Sequence, residues 1–132
     1  MKNLILLIMM GVSGCFSSEA PLQLEKPKEV YGQLLNHFAQ VVDLRPQSAI
    51  KETGIISGSV VFSKEERNSP NSWIVLKNQL NTQRKVVLVS TKNDQKTIEE
   101  VARKLRADGF KTAYLSSFEA WMEAKLPIQK QL

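Results

Sequence analysis

The chain has 132 residues, with 18 Lys+Arg, 13 Asp+Glu and 42% hydrophobic residues, which is one domain's length of ordinary globular composition. A single cysteine excludes an internal disulfide framework and a multi-cysteine zinc site, and a single histidine excludes a histidine cluster, so neither metal nor cofactor is expected. The net charge of +5 is spread along the chain without a basic run, so no nucleic-acid partner is expected.

The chain opens MKNLILLIMMGVSGC. Lys2 is a minimal positive region, and Leu4 to Val12 is apolar apart from Gly11. That run is shorter than the ~20 residues that span a bilayer, and it fits the apolar core of a secretory signal peptide. Its end, Val12-Ser13-Gly14-Cys15, resembles a bacterial lipobox, with small residues before a cysteine that takes a diacylglycerol thioether. The expectation is a signal peptide over 1–14, lipid attachment at Cys15, and an exported protein held on the membrane by its anchor. With Cys15 acylated no free thiol remains for thiolate chemistry. Phe16 replaces the Asp that favours inner-membrane retention in Gram-negative lipoproteins, which points to the periplasmic face of the outer membrane where the host has one. An ordinary signal peptide with a chance cysteine is the competing reading.

Residues 15–28 carry Pro21 and Pro27 and no clear period, so they read as the lipidated cysteine and a tether; an extra strand or arm packed on the domain is the alternative. The domain is expected over 29–132. Val30, Leu34, Leu35 and Phe38 fall at helical spacing within 29–38, which places His37 in that helix. Val41–Leu44 reads as a buried strand ended by Arg45-Pro46, and Ser48–Glu52 as a helical turn broken by Gly54. Residues 59–62 suggest a second strand and 65–71 a polar loop, with a helix from Asn71/Ser72 over Trp73, Val75, Leu76 and Leu80. Lys85–Ser90 is the clearest strand.

The clearest helix is expected over 97–108, where Ile98, Val101, Ala102 and Leu105 share one face. Thr97 with Glu100 fits a capping box, Asp94 is a competing cap, and Gly109 fits the position just past the helix. A short strand over 112–115 and a last helix over 118–125 follow. Strands alternating with helices imply an α/β fold with a mainly parallel sheet covered on both faces. Ligands in such folds sit beyond the carboxyl ends of the strands, which directs attention to the loop after Lys85–Ser90.

Several segments resemble the rhodanese domain from about Lys28 onward. Val41-Val42-Asp43-Leu44-Arg45 is similar to the family's "vvDvR", and Gly54, Ile56 and Gly58 match its "E-x-G-H-I-P-G-A". Gly109-Phe110, then 114–121 ending in Trp121, then Leu126-Pro127, are similar to its closing "Gf…v..l.GG..aW…lP", with Ser116 and Ser117 at the two glycines. The resemblance implies a small three-layer fold and gives Asp43, Arg45, Gly54, Gly58, Gly109 and Trp121 structural roles.

In catalytic members of that family a cysteine ends the central strand and begins a cradle of backbone amides, often C-x-x-G-x-R-S. Here the loop reads Ser90-Thr91-Lys92-Asn93-Asp94-Gln95-Lys96-Thr97. Counting along the strand sets Ser90 at the cysteine position, whereas aligning Lys96-Thr97 with Arg-Ser sets Thr91 there and Asp94 at the glycine. Neither residue can carry a persulfide. Ser90-x5-Lys96 shadows the phosphatase-like branch's C-x5-R, but a serine without a base is a poor nucleophile and Lys lacks the bidentate fork of Arg.

Three functions remain open on this reading. The first, and the one expected, is a catalytically inactive, membrane-anchored module that binds a protein partner. The second is a loop over 90–97 that still binds a small anion or phosphorylated metabolite, with weak or no chemistry. The third is catalysis by Cys15 as a free thiol.

Overall fold

The computed structural model describes residues 20–130. The expected signal peptide over 1–14, the expected lipid-attachment residue Cys15, and Phe16 lie outside the described residues. In chain order the elements are β1 (Gln23–Glu25), α1 (Pro27–Leu35), β2 (Ala39–Asp43), α2 (Gln47–Thr53), β3 (Ile55–Ile56), β4 (Val60–Val61) and α3 (Lys64–Arg67). Then follow α4 (Ser72–Gln79), β5 (Lys85–Val89), α5 (Gln95–Ala107), β6 (Thr112–Leu115), α6 (Phe118–Glu123) and β7 (Ile128–Gln129).

Five strands form one parallel sheet in the order β1-β6-β5-β2-β4, and β3 pairs antiparallel with β7 beside it. The two central strands have no polar face. Alternate residues point to opposite sides of a sheet, and here both sides are covered. Val42, Leu44, Val86 and Leu88 pack with Leu76 of α4 and with Ile98, Val101, Ala102 and Leu105 of α5. Val41, Val87 and Val89 pack on the other side with Val30 of α1 and with Phe118 and Trp121 of α6. The expected α/β fold with a mainly parallel sheet between helical layers is therefore present.

The tether expected over 15–28 gives way within the described residues. Gln23–Glu25 is an edge strand in register with Ala113–Leu115, and Pro27 opens α1 in the first-turn position where a missing N–H costs nothing. Polar contacts fix the arm: Arg106 donates to the Ala20 carbonyl at 2.8 Å, and the Glu25 carboxylate takes Gln33 at 3.2 Å and Lys85 at 3.0 Å. The arm alternative is the one observed.

Three boundaries also move. The first helix stops at Leu35, so exposed His37 lies in a turn with φ 60°, and Leu35 and Phe38 face outward. The expected polar loop overlaps α3, at whose start Ser63 and Glu66 form a reciprocal capping box. The helix expected from Thr97 begins at Gln95 with Asp94 as its cap residue, so the Thr97–Glu100 box does not form. Gln95 and Lys96 are good helix formers and extend the helix to the earlier cap.

Candidate functional site

The carboxyl ends of β2, β4 and β5 meet at one end of the sheet. The Leu44 N–H donates to the Val89 carbonyl and the Phe62 N–H to the Asp43 carbonyl, each at 2.8 Å, so the three strand ends are held together. Two junctions start there, one after β2 and one after β5.

At the β2 junction Asp43 and Arg45 are buried. The Arg45 guanidinium donates to both Asp43 oxygens, with Nη2 to Oδ2 at 2.7 Å, and the Arg45 backbone N–H also donates to Asp43 at 3.0 Å. Its remaining donors reach the Thr53 hydroxyl and the Gly54 carbonyl, both at 2.7 Å. The Phe118 ring lies 3.5 Å from the guanidinium carbon. Gly54 has φ +87°, and a Cβ there would stand 2.7 Å from the Gln129 carbonyl oxygen, so the β3–β7 pairing requires glycine. Gly58, also at positive φ, donates its N–H to the Gln129 side chain at 3.3 Å. Gly109 takes positive φ as α5 ends, and buried Trp121 donates its indole N–H to the Pro127 carbonyl at 3.0 Å.

At the β5 junction Ser90 is fully buried. Its hydroxyl donates to Asp94 Oδ2 at 2.6 Å, and its carbonyl accepts the Phe118 N–H at 3.0 Å. Asp94 is half-buried at the head of α5; its carbonyl accepts the Ile98 N–H, but its carboxylate turns to Ser90 instead of capping the helix amides. Asn93, three residues after Ser90, takes the left-handed conformation at φ 64°. Lys92, Asn93, Gln95 and Lys96 are exposed, and Gln95 reaches Glu99 at 3.3 Å. Thr91 and Thr97 are partly buried, Thr97 inside the first turns of α5. The eight loop residues are thus contiguous, with Ser90 and Asp94 facing each other and the two lysines outside.

Sequence reasoning did not single out Arg67. Its Nη1 bridges the Leu44 carbonyl at 2.9 Å and the Phe62 carbonyl at 2.8 Å, closing the rim between β2 and β4. Burial pushes its pKa below the usual guanidinium value, while the nearby Asp94 charge pulls the other way. The Ser63-x-x-Glu66 pattern was the available signal, because the helix it caps carries Arg67 to this rim. Among the described residues no group of three or more His, Cys, Asp or Glu is placed to hold a metal, and no helix is long and apolar enough to cross a membrane.

The covered parallel sheet and the buried Asp-x-Arg junction define a rhodanese-like domain. The chain belongs to that family, whose model, the rhodanese-like domain, matches residues 26–124. Among solved structures it is similar to the 30 kDa polysulfide-sulfur transferase homodimer of Wolinella succinogenes, with 23% identity and a TM-score of 0.62 over 83% of this chain and 80% of that one. It is also similar to a rhodanese-related protein of Thermoplasma volcanium, with 14% identity and a TM-score of 0.63 over 83% of this chain and 99% of that one. No curated protein matches the chain. At these identities the structural likeness is one of fold.

Proposed function

We propose that this protein is a catalytically inactive rhodanese-like module, anchored to the bacterial envelope through acylated Cys15, that works by binding a protein partner. The observation that carries this reading is the Ser90–Asp94 contact. Glycine is the residue best suited to a left-handed loop position, and the residue that takes it here is Asn93. The family pattern C-x-x-G therefore runs onto Ser90-Thr91-Lys92-Asn93, which favours Ser90 over Thr91 at the cysteine position and moves Asp94 one place past the glycine. A sulfurtransferase needs a thiolate there, stabilised by amides and the positive end of the following helix. This chain presents a buried hydroxyl that already donates at 2.6 Å to a carboxylate at the head of α5. A carboxylate in that place repels the thiosulfate anion and raises the pKa of any thiol set beside it. Gln95 then stands at the family's arginine, which leaves the loop without a bidentate anion fork.

Two measurements on the full chain test the reading. Intact mass of membrane-extracted protein is expected to show cleavage before Cys15 and added lipid, and Cys15→Ser is expected to show neither. Thiosulfate:cyanide sulfur transfer is expected to be absent from the protein and from Ser90→Cys. Robust turnover by the unsubstituted chain would overturn the non-catalytic assignment. Melting temperature in thiosulfate, sulfate or phosphate is expected to follow an ionic-strength-matched chloride control; a saturable rise with one anion would establish the ligand-binding alternative in its place.

A further inference from the structure

The chain enters the domain along a groove of about 760 Å³ at the opposite end of the sheet from Ser90. Leu22 and Phe110 give it an apolar floor, and its charged lining is Arg103, Arg106 and Lys111 against Glu99. Arg106 fixes the entry: it donates to the Ala20 carbonyl and to the Thr112 hydroxyl, each at 2.8 Å. Ala20 itself lines the groove.

Ala20 lies five residues after Cys15. Fully extended, that stretch reaches at most about 18 Å. We infer that this groove is a membrane-docking surface that receives the headgroups of anionic phospholipids, and the inference rests on the acylation of Cys15 proposed above. A lipid-anchored Cys15 holds Ala20, on the lining of the groove, within about 18 Å of the bilayer surface. The groove lies at the end through which the chain enters, so it stays within the tether's reach of the lipid in any orientation. The excess of basic over acidic side chains suits an anionic surface, and screening extends only about 8–10 Å at physiological salt, so a charged face held this close feels it. Docking through the groove turns the carboxyl ends of the strands, with Ser90 and Arg67, away from the membrane. It thereby presents that face to a soluble partner.

The test uses the full acylated chain in phosphatidylcholine vesicles with or without phosphatidylglycerol, read by hydrogen exchange. Amides of 99–112 and 20–22 are expected to exchange more slowly in the phosphatidylglycerol vesicles. Arg103→Gln with Lys111→Gln is expected to abolish most of that difference, since each basic side chain near an anionic surface contributes about fivefold. Both positions are exposed and Arg106 is left in place, so an unchanged melting temperature separates lost docking from lost folding. Equal exchange in the two vesicles, or a difference that survives the double substitution, would overturn the docking surface and leave the anchor standing. A chain without added lipid that floats with neither vesicle would instead remove the anchor, and the docking surface with it.

Discussion

The ends of β2 and β5 are neighbours in the sheet, and both continue into a polar pair, buried after β2 and half-buried at Asp94 after β5, but the two pairs do different things. After β2, each nitrogen of the Arg45 guanidinium donates, to Asp43, Thr53 or Gly54, and the group is covered by Phe118. That arrangement ties together the end of a strand, the end of α2 and the start of β3. After β5, Ser90 and Asp94 satisfy only each other within one loop. The first junction keeps the residues the family resemblance assigns to it, and the second does not. On the function proposed above, fold and chemistry are separable: the junction that carries the architecture is intact, while in the β5 loop the Ser90 hydroxyl is taken up by Asp94. Phe118 links them, since its ring covers Arg45 and its N–H holds the Ser90 carbonyl.

The sharpest way to break this comparison is to remove the arginine. Arg45→Met leaves Asp43 buried without its partner, and breaking a buried pair from one side costs about 3–5 kcal/mol. Urea unfolding of Arg45→Met is expected to show that loss, and Arg45→Lys most of it, because an ammonium cannot make the same fork. A cost no greater than that of a change in the β5 loop would make the two junctions equivalent. Gly54→Ala comes next, at about 2–4 kcal/mol, from a backbone conformation that is nearly exclusive to glycine and a Cβ that collides with the Gln129 carbonyl.

How these parts were legible differs in the same way. β2, β5 and α5 follow from local pattern, because residues buried on both faces give unbroken apolar runs and a helix over a sheet gives one apolar stripe. The Asp43–Arg45 junction was legible only through the family resemblance, and its partners Thr53 and Gly54 could not be read from spacing. β1 stood only as the alternative to a tether because Gln23–Glu25 has no strand pattern of its own; it is a strand because β6 offers an open edge and Arg106 holds the preceding carbonyls. Asp94 was weighed as a helix cap or as a charge in the loop. Its contact with Ser90 depends on the turn at Asn93, and that left-handed turn is set by the geometry between β5 and α5 rather than by residue type alone.

Within the β5 loop the effects are smaller. Asp94→Ala leaves the buried Ser90 hydroxyl without an acceptor and is expected to cost about 1–3 kcal/mol. Ser90→Ala removes the donor from a carboxylate that is only half-buried, so its cost is expected at about 0.5–1.5 kcal/mol. The double variant is expected to cost less than the sum, because both single changes remove one interaction. Additive costs in urea unfolding would mean that the two residues do not act as a pair.

The smallest effect concerns the rim on the far side of β2. The Gln47 backbone N–H, 3.1 Å from the Glu65 carboxylate, holds that group below the ordinary carboxylate range, with its own backbone N–H adding to the effect. A carboxyl whose folded pKa is depressed contributes stability that is fully present above its unfolded pKa and is lost as pH falls through the folded value. Glu65→Gln is therefore expected to lower the melting temperature slightly at neutral pH and to match the unsubstituted chain once both are below the carboxylate range. The group is fully exposed, so solvent screening keeps the difference small. A gap between the two chains that widens toward acid would place the contribution elsewhere, and the link from α2 to α3 would then be one of shape alone.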